Sequence, residues 1–371
     1  MKISLLQENL NKGLGIVSRF IATKATLPIL SNILLSTDQD QLKLSATNLE
    51  MGINFWLGAK IEKEGAIAVP ARLLAELISS LPPEKIDLET KENTLFLSSG
   101  FFKAEILGMP QGEFPQIPSQ QKEQILTFDK NEIFSGLSQV CFAAAQDESR
   151  PVLTGILLRQ EEDLILLVAT DGYRLSLKKI KTKRKKIGEE SFIIPAKTLI
   201  EISRIIQEIK EEEEISINKS VNENQVIFSL PGIEIVSRLI EGNFPEFEKI
   251  IPQAKETRII LDKDDFFKAV KIASIFAREK ANIVKIKTDR ERISVSAESP
   301  QVGVNETQVE GKIEGQNLEI AFNFRFLLDF LNASSGKEVV FEANGPLSPG
   351  VFRSTDDDSF LHIIMPVRIQ S

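Results

Sequence analysis

The side chains able to do covalent or metal chemistry are few. Cys141 is the only cysteine and His362 the only histidine among 371 residues. A single cysteine forms no internal disulfide and no thiolate metal site, and its neighbours Val140 and Phe142 place it at a buried helix position, where a thiol packs rather than reacts. A single histidine, shortly before Met365-Pro366, does not build a His-based metal site or a Ser-His-Asp triad. Carboxylates are plentiful, but Asp171 belongs to an Asp-Gly turn and Asp356-Asp357-Asp358 reads as a turn between the last strands. Neither has a second acid-base group at a defined spacing, so metal-assisted phosphoryl chemistry is a weak rival. No catalytic residue, cofactor or metal is expected.

Binding is the remaining chemistry. With 45 Lys and Arg against 53 Asp and Glu, the formal charge is −8, which argues against coating nucleic acid by bulk attraction. DNA remains a partner if the cations gather on one surface. A chain that is 42% hydrophobic and 26% charged is a globular one. No apolar run reaches the roughly 18 residues of a membrane-spanning helix. The opening residues Met1 to Glu8 carry an amide and an acid where a signal peptide stays apolar, so a cytoplasmic protein is expected.

The elements that position these groups repeat with a period of roughly 125 to 130 residues. Ser4-x-x-Gln7, Asp129-x-x-Glu132 and Asp262-x-x-Asp265 each read as a helix cap. Apolar residues at spacings of three and four follow: Leu6, Leu10, Leu14, Val17 and Ile21; Ile133, Leu137, Val140 and Ala144; Phe266, Val270 and Ala273. A strand pair comes next. Pro28 to Leu35 leads to Leu42 to Leu49, and Pro151 to Leu158 leads through the run Leu164 to Val168 into Ala169-Thr170-Asp171-Gly172. Asp-Gly is a tight-turn signal, so strands are expected on both sides of it. In the third copy Ile283 to Lys287 and Ile293 to Ala297 alternate as strands, and Glu298-Ser299-Pro300 replaces the Asp-Gly turn. A second helix follows Pro70, Pro195 and Asn323, with a basic residue two positions on in each copy: Arg72, Lys197 and Arg325. The segments Gly112-Glu113-Phe114-Pro115 and Gly242-Asn243-Phe244-Pro245 mark boundaries, giving domains 1–120, 121–250 and 251–371. Each is α+β, an antiparallel sheet with two helices on one face. Two charge runs read as solvated: Lys178 to Lys186 as an exposed hairpin loop and Glu211 to Glu214 as a turn.

Taken in order, Thr26-Leu27-Pro28-Ile29-Leu30, Val69-Pro70-Ala71-Arg72, the two linkers, Ala169 to Leu175 and Ile363-Ile364-Met365-Pro366-Val367-Arg368-Ile369 resemble the beta subunit of bacterial DNA polymerase III, the sliding clamp. The resemblance covers essentially the whole chain. It implies a DNA clamp fold of three repeated sheet-plus-two-helix domains forming a crescent, which dimerises head to tail into a ring around duplex DNA. Such a ring binds without sequence specificity, has no catalytic activity, and tethers the replicative polymerase, the clamp loader and other clients through short peptide motifs.

The resemblance also implies site residues. Lys24, Arg72 and Gln146 match positions that touch DNA in relatives; Lys12, Arg19, Arg150, Lys197, Arg204, Lys271, Arg278 and Arg325 are further candidates on the helices and adjoining loops. The client-peptide pocket maps to Leu153, Thr170, Gly172, Tyr173, Arg174, Leu175, Pro245, Lys249, Ile250, Ile363, Ile364, Met365, Pro366, Val367 and Arg368. Tyr173 stands where relatives often have histidine and Lys249 where some have arginine. For the dimer interface the resemblance implies Ile275 and Phe276 packing on Ala104 and Ile106 of the partner. The unit-one counterpart of the Asp-Gly turn, Ala46-Thr47-Asn48-Leu49, lacks the glycine, which offers a reason for one client site per chain. The alternative reading is a monomeric peptide-binding scaffold without DNA encirclement.

Overall fold

A computed structural model describes residues 1–22, 27–119, 121–182, 191–209, 214–220, 224–279 and 281–368. Among them are six α-helices: α1 (Gln7–Val17), α2 (Ala71–Ser79), α3 (Lys130–Val140), α4 (Ala196–Glu208), α5 (Lys263–Ala277) and α6 (Phe324–Ala333). The apolar spacing explains their faces. In α1, Leu10, Leu14 and Val17 are buried while Glu8, Asn11 and Lys12 are exposed. Asp262 caps α5 as expected, its Oδ1 accepting from Asp265 N at 3.0 Å. Asn323 caps α6 in the same way through Arg325 N.

Three expectations are corrected. Ser4 is not a helix cap: Lys2–Leu6 is a strand paired with Lys85–Lys91, because Ile3 and Leu5 both need burial at a two-residue period. The first helix starts at Gln7, whose Nε2 donates to Ile78 O at 2.6 Å. Pro28 and Pro151 open short 3-10 turns, Pro28–Ser31 and Pro151–Thr154, and the strands begin at Asn32 and Gly155. Proline suits a turn and would cost a sheet a donor. Lys178 and Lys179 lie inside the strand Arg174–Lys181, and Lys178 is buried against Asp357 at 2.7 Å instead of belonging to an exposed loop. Ile180 and Lys181 continue the same strand, whereas residues 183–186 of that run, and most of Glu211 to Glu214, lie outside the described residues.

The chain forms two compact units, Met1–Lys130 with Glu201–Leu239 and Asn131–Ile200 with Ile240–Ser371. The first contains a five-stranded and an eight-stranded sheet, the second a twelve-stranded sheet. The sheets do not stop where the sequence repeats stop. Met51–Gly58 of the first repeat pairs antiparallel with Ile233–Arg238 of the second, and Arg174–Lys181 of the second pairs with Phe360–Ile364 of the third. Backbone ladders, and not only the proline linkers, therefore join consecutive repeats.

In the second unit α5 and α6 cover a core rich in phenylalanine, with Phe341 and Phe352 stacked at 4.7 Å and Phe322 edge-on to both. A separate apolar cluster packs Leu157, Val168, Leu177, Ile193 and Leu361 with Phe247 of the second linker.

Candidate functional site

The Asp171-Gly172 turn joins the strands Leu164–Thr170 and Arg174–Lys181, as its residues require. Side chains close it. Thr170 Oγ1 donates to Arg174 O at 2.7 Å and accepts from Gly172 N at 3.0 Å, while Asp171 Oδ1 accepts from Tyr173 N and Arg174 N. Gly172 sits at φ +90, in the region that disfavours a Cβ. Tyr173 is left 65% exposed at the tip.

Arg174 holds this turn from below. Its guanidinium donates to Asp171 Oδ2 at 3.1 Å, to Phe142 O at 2.7 Å and to Asp329 Oδ2 on α6, and it lies 4.5 Å from the Phe326 ring centroid. Arg150 donates to the Asp171 carbonyl at 2.9 Å, so this DNA candidate also braces the turn. The chain's last segment meets the tip: Met365 N donates to Tyr173 O and Val367 N to Ala321 O, both at 2.8 Å. Beneath them the His362 ring lies against Phe142 and Phe330, and its Nδ1 is 2.7 Å from Ser176 Oγ. Burial, reinforced by the charge of Arg174, pushes its pKa down to about 3. Burial pushes the Cys141 thiol up to about 12, so it is the inert packing residue its neighbours implied.

The expected pocket residues divide by exposure. Gly172, Tyr173, Pro245, Lys249, Ile250, Met365 and Arg368 are exposed, and Pro366, Val367 and Arg174 are partly so. Leu153 and Thr170 are nearly buried. Leu175, Ile363 and Ile364 are buried, the antiparallel register packing Leu175 and Ile363 into the Phe247 cluster and Ile364 into the phenylalanine core. Lys249 is ion-paired with Glu246 on the short turn Phe247–Ile250.

Of the basic candidates, Lys24 lies outside the described residues. Arg72, Lys197 and Arg325 are exposed, each at the second residue of α2, α4 and α6. Lys12 on α1, Lys271 on α5, Arg278 just after α5 and Gln146 in the segment before Arg150 are exposed as well. Arg19 is bonded to Glu208 and Arg204 to Glu201, and Lys197 lies 3.6 Å from Glu148. Among the described residues no group of three His, Cys, Asp or Glu could hold a metal, and no helix is long and apolar enough to cross a membrane.

For the interface, Ile275 on α5 is 56% exposed and Phe276 is half-buried. Ala104 and Ile106 lie on the strand Phe102–Leu107, which ends its sheet and pairs, among the described residues, only with Thr94–Ser99. Ile106 is 3% exposed within its own chain, while its neighbour Leu107 is 79% exposed; Phe101 is exposed too and, in part, Phe102. In the third repeat the stretch Gly303 to Glu310 pairs with Arg292–Ser299, and Val302 and Val304 are exposed near its start. Nothing local in the sequence signals the Arg174 partners, of which Asp329 lies 155 positions away.

Three family models match in succession: the DNA polymerase III beta subunit N-terminal domain over residues 1–118, the central domain over 127–246 and the C-terminal domain over 248–368. The chain is 30% identical over 380 residues to a beta sliding clamp of Bacillus subtilis (strain 168), covering 99% of this chain and 100% of that one. It is 28% identical over 377 residues to a beta sliding clamp of Synechococcus elongatus, covering 100% of both. Among solved structures, the DNA polymerase sliding clamp from Bacillus subtilis superposes with a TM-score of 0.94 at 28% identity over 100% of both chains. The DNA polymerase III beta subunit from Thermotoga maritima superposes at 0.91 and 27% identity over the same share. A sliding clamp from Pseudomonas aeruginosa bound to griselimycin gives 0.93 at 26% identity, again over 100% of both chains.

Proposed function

The chain belongs to the DNA polymerase III beta subunit family, the beta sliding clamps, and from that membership we propose that two copies close head to tail into a ring around duplex DNA. The ring tethers the replicative polymerase, the clamp loader and other clients through peptides seated beside the Thr170–Arg174 turn. It is a processivity factor of the cytoplasm with no chemical step of its own. Its domains meet near residues 120 and 250, at the two Gly-x-Phe-Pro linkers.

One observation carries the DNA reading. A cation in the first turn of a helix works against the helix dipole. Yet Arg72, Lys197 and Arg325 stand exposed at the same position of α2, α4 and α6. At three equivalent helix starts they make three repeated sites for phosphate oxygens, which bind without reading sequence. A net charge of −8 repels DNA from the rest of the surface and favours contact at these positions. The unpaired edge Phe102–Leu107, with Leu107 and Phe102 exposed, supports closure by strand addition to a partner that brings Ile275 and Phe276.

The peptide reading draws on an exposed Tyr173 and Met365 joined by a backbone bond, with Ile250, Pro245 and Lys249 as further accessible wall residues. Two or three apolar anchors, less ordering costs, give about micromolar affinity.

Native mass spectrometry and retention on nicked circular against linear DNA test the ring. A dimer that stays on circles and runs off free ends is expected. A monomer of 41.4 kDa, or equal retention on both DNAs, refutes it and leaves the monomeric scaffold. Met365→Ala should weaken a client peptide about tenfold with no change in dimer mass, and unchanged affinity counts against the pocket.

A further inference from the structure

The first unit repeats the framework of the peptide pocket in a part of the chain to which the family reading gives no such role. Its strands Ala66–Pro70, Asn32–Asp38, Gln41–Thr47, Met51–Gly58 and Ile233–Arg238 lie in the same order as Ser191–Pro195, Gly155–Glu161, Leu164–Thr170, Arg174–Lys181 and Phe360–Ile364 of the second unit. The turn is repeated bond for bond. Thr47 Oγ1 donates to Met51 O and accepts from Leu49 N, and Asn48 Oδ1 accepts from Glu50 N and Met51 N. Leu49 takes φ +74 where Gly172 takes +90. The absent glycine is therefore not an absent turn.

What differs is the filling of the sheet face beside the turn. Across the second unit, Ile193, Leu157, Val168, Leu177 and Leu361 form one row, packed with Phe247. The matching row of the first unit is Ala68, Leu34, Ser45, Asn54 and Glu234, and the linker residue at the Phe247 position is Ile117. Smaller and polar residues leave room. Two cavities of about 570 and 260 Å³ result, both lined by Pro115, Gln116 and Ile117 of the linker.

The larger cavity is lined by Asn54, a side chain only 1% exposed. Its Oδ1 accepts from Ser45 Oγ at 2.7 Å, and its Nδ2 has no acceptor among the described residues. An unpaired buried amide is unfavourable, and a ligand carbonyl would satisfy it. The smaller cavity is lined by Leu49 and Val236, and by Arg238, which is exposed and makes no ion pair among the described residues. Asn54 pairs across the ladder with Glu234, four residues before Arg238. Four strand residues span about 13 Å, the reach of roughly four residues of extended peptide.

We propose that this hollow is a second peptide groove, which takes an extended peptide presenting a backbone carbonyl to Asn54, an apolar side chain to Leu49 and Val236, and a carboxylate to Arg238. The proposal rests on the peptide reading of the Thr170–Arg174 turn, whose framework it shares.

The test titrates a fluorescein-labelled, capped Ala-Leu-Glu-Val-Ala peptide into the full-length protein. Two sites per chain are expected. Asn54→Leu, which installs the second unit's residue, should reduce the count to one, with a melting curve confirming the fold. Arg238→Glu should weaken the same site at least tenfold, and replacing the peptide's glutamate by lysine should restore it. Met365→Ala should affect only the other site. The groove is overturned by one site per chain that Met365→Ala removes, or by a titration that neither Asn54→Leu nor Arg238→Glu changes. Loss through Asn54→Leu with no effect of Met365→Ala would uphold the groove and overturn the pocket beside Tyr173.

Discussion

Replacing Arg174 by alanine asks whether the Thr170–Arg174 turn is held in place from below. The arginine side chain is 10% exposed, and its carboxylate partners Asp171 and Asp329 are 18% and 41% exposed. Bonds from a shielded charge contribute roughly 1.5–3 kcal/mol each, which applies to Asp171 and to the Phe142 carbonyl. The bond to Asp329 faces water and is worth about 0.5–1 kcal/mol. Stacking on Phe326 adds about 1 kcal/mol. Water reaching the freed carboxylates recovers part of this, leaving a loss of about 3 to 4 kcal/mol, the range for breaking a buried ion pair. A chain of this size need not unfold in one step, so the loss is best read locally. Hydrogen exchange at the Met365 amide, bonded to Tyr173 O, should quicken by two to three orders of magnitude, at about 1.4 kcal/mol per tenfold. Asp329→Asn should quicken it only about fivefold. If Arg174→Ala leaves that amide within about twofold of wild type, Arg174 does not position the turn and the reasoning is wrong.

Two further outcomes follow from burial. Leu107→Asp places a charge on the exposed side of the unpaired edge strand and should raise the dimer dissociation constant at least tenfold by sedimentation, while leaving the monomer's melting temperature unchanged; an undisturbed dimer refutes that edge as the interface. The folded chain holds the His362 pKa at about 3, below its ordinary 6.5, so the unfolded chain binds the extra proton between those values. Its contribution to stability is then complete above about pH 6.5 and declines as pH falls toward 3, by up to about 1.4 kcal/mol per pH unit. His362→Gln should remove that slope from urea midpoints measured between about pH 4 and 7, and equal slopes in both proteins would show that the ring protonates without opening the core.

The legible parts of the fold were those set by neighbours in sequence. Apolar spacing located the helices, the Asp262 cap formed as its residue types required, and Asp171 and Gly172 made the turn they encode. Ser4 failed because a cap pattern competed with the strand alternation of Ile3 and Leu5, and burial of two apolar side chains outweighs one cap bond. Lys178 was misread because its partner Asp357 is 179 residues away. The same distance hid the shared ladders, since nothing within Met51–Gly58 announces pairing with Ile233–Arg238. At the candidate site the exposed tip was legible through the motif, whereas Leu175, Ile363 and Ile364 have neighbours on both faces of a sheet that only the folded chain assembles.

Leu49 has a practical use as a reporter position. Its backbone is held at φ +74 by the Thr47 and Asn48 side chains, so the turn's shape does not depend on what residue 49 carries. The side chain is 47% exposed and lines the smaller cavity of the first unit. The chain's own thiol, Cys141, is buried and holds its proton well above neutral pH. A cysteine introduced by Leu49→Cys would thus be the one thiol open to a maleimide dye in the native protein. A fluorophore there would signal filling of the cavity by a change in emission, in a chain whose sheets and remaining surface are left as they were.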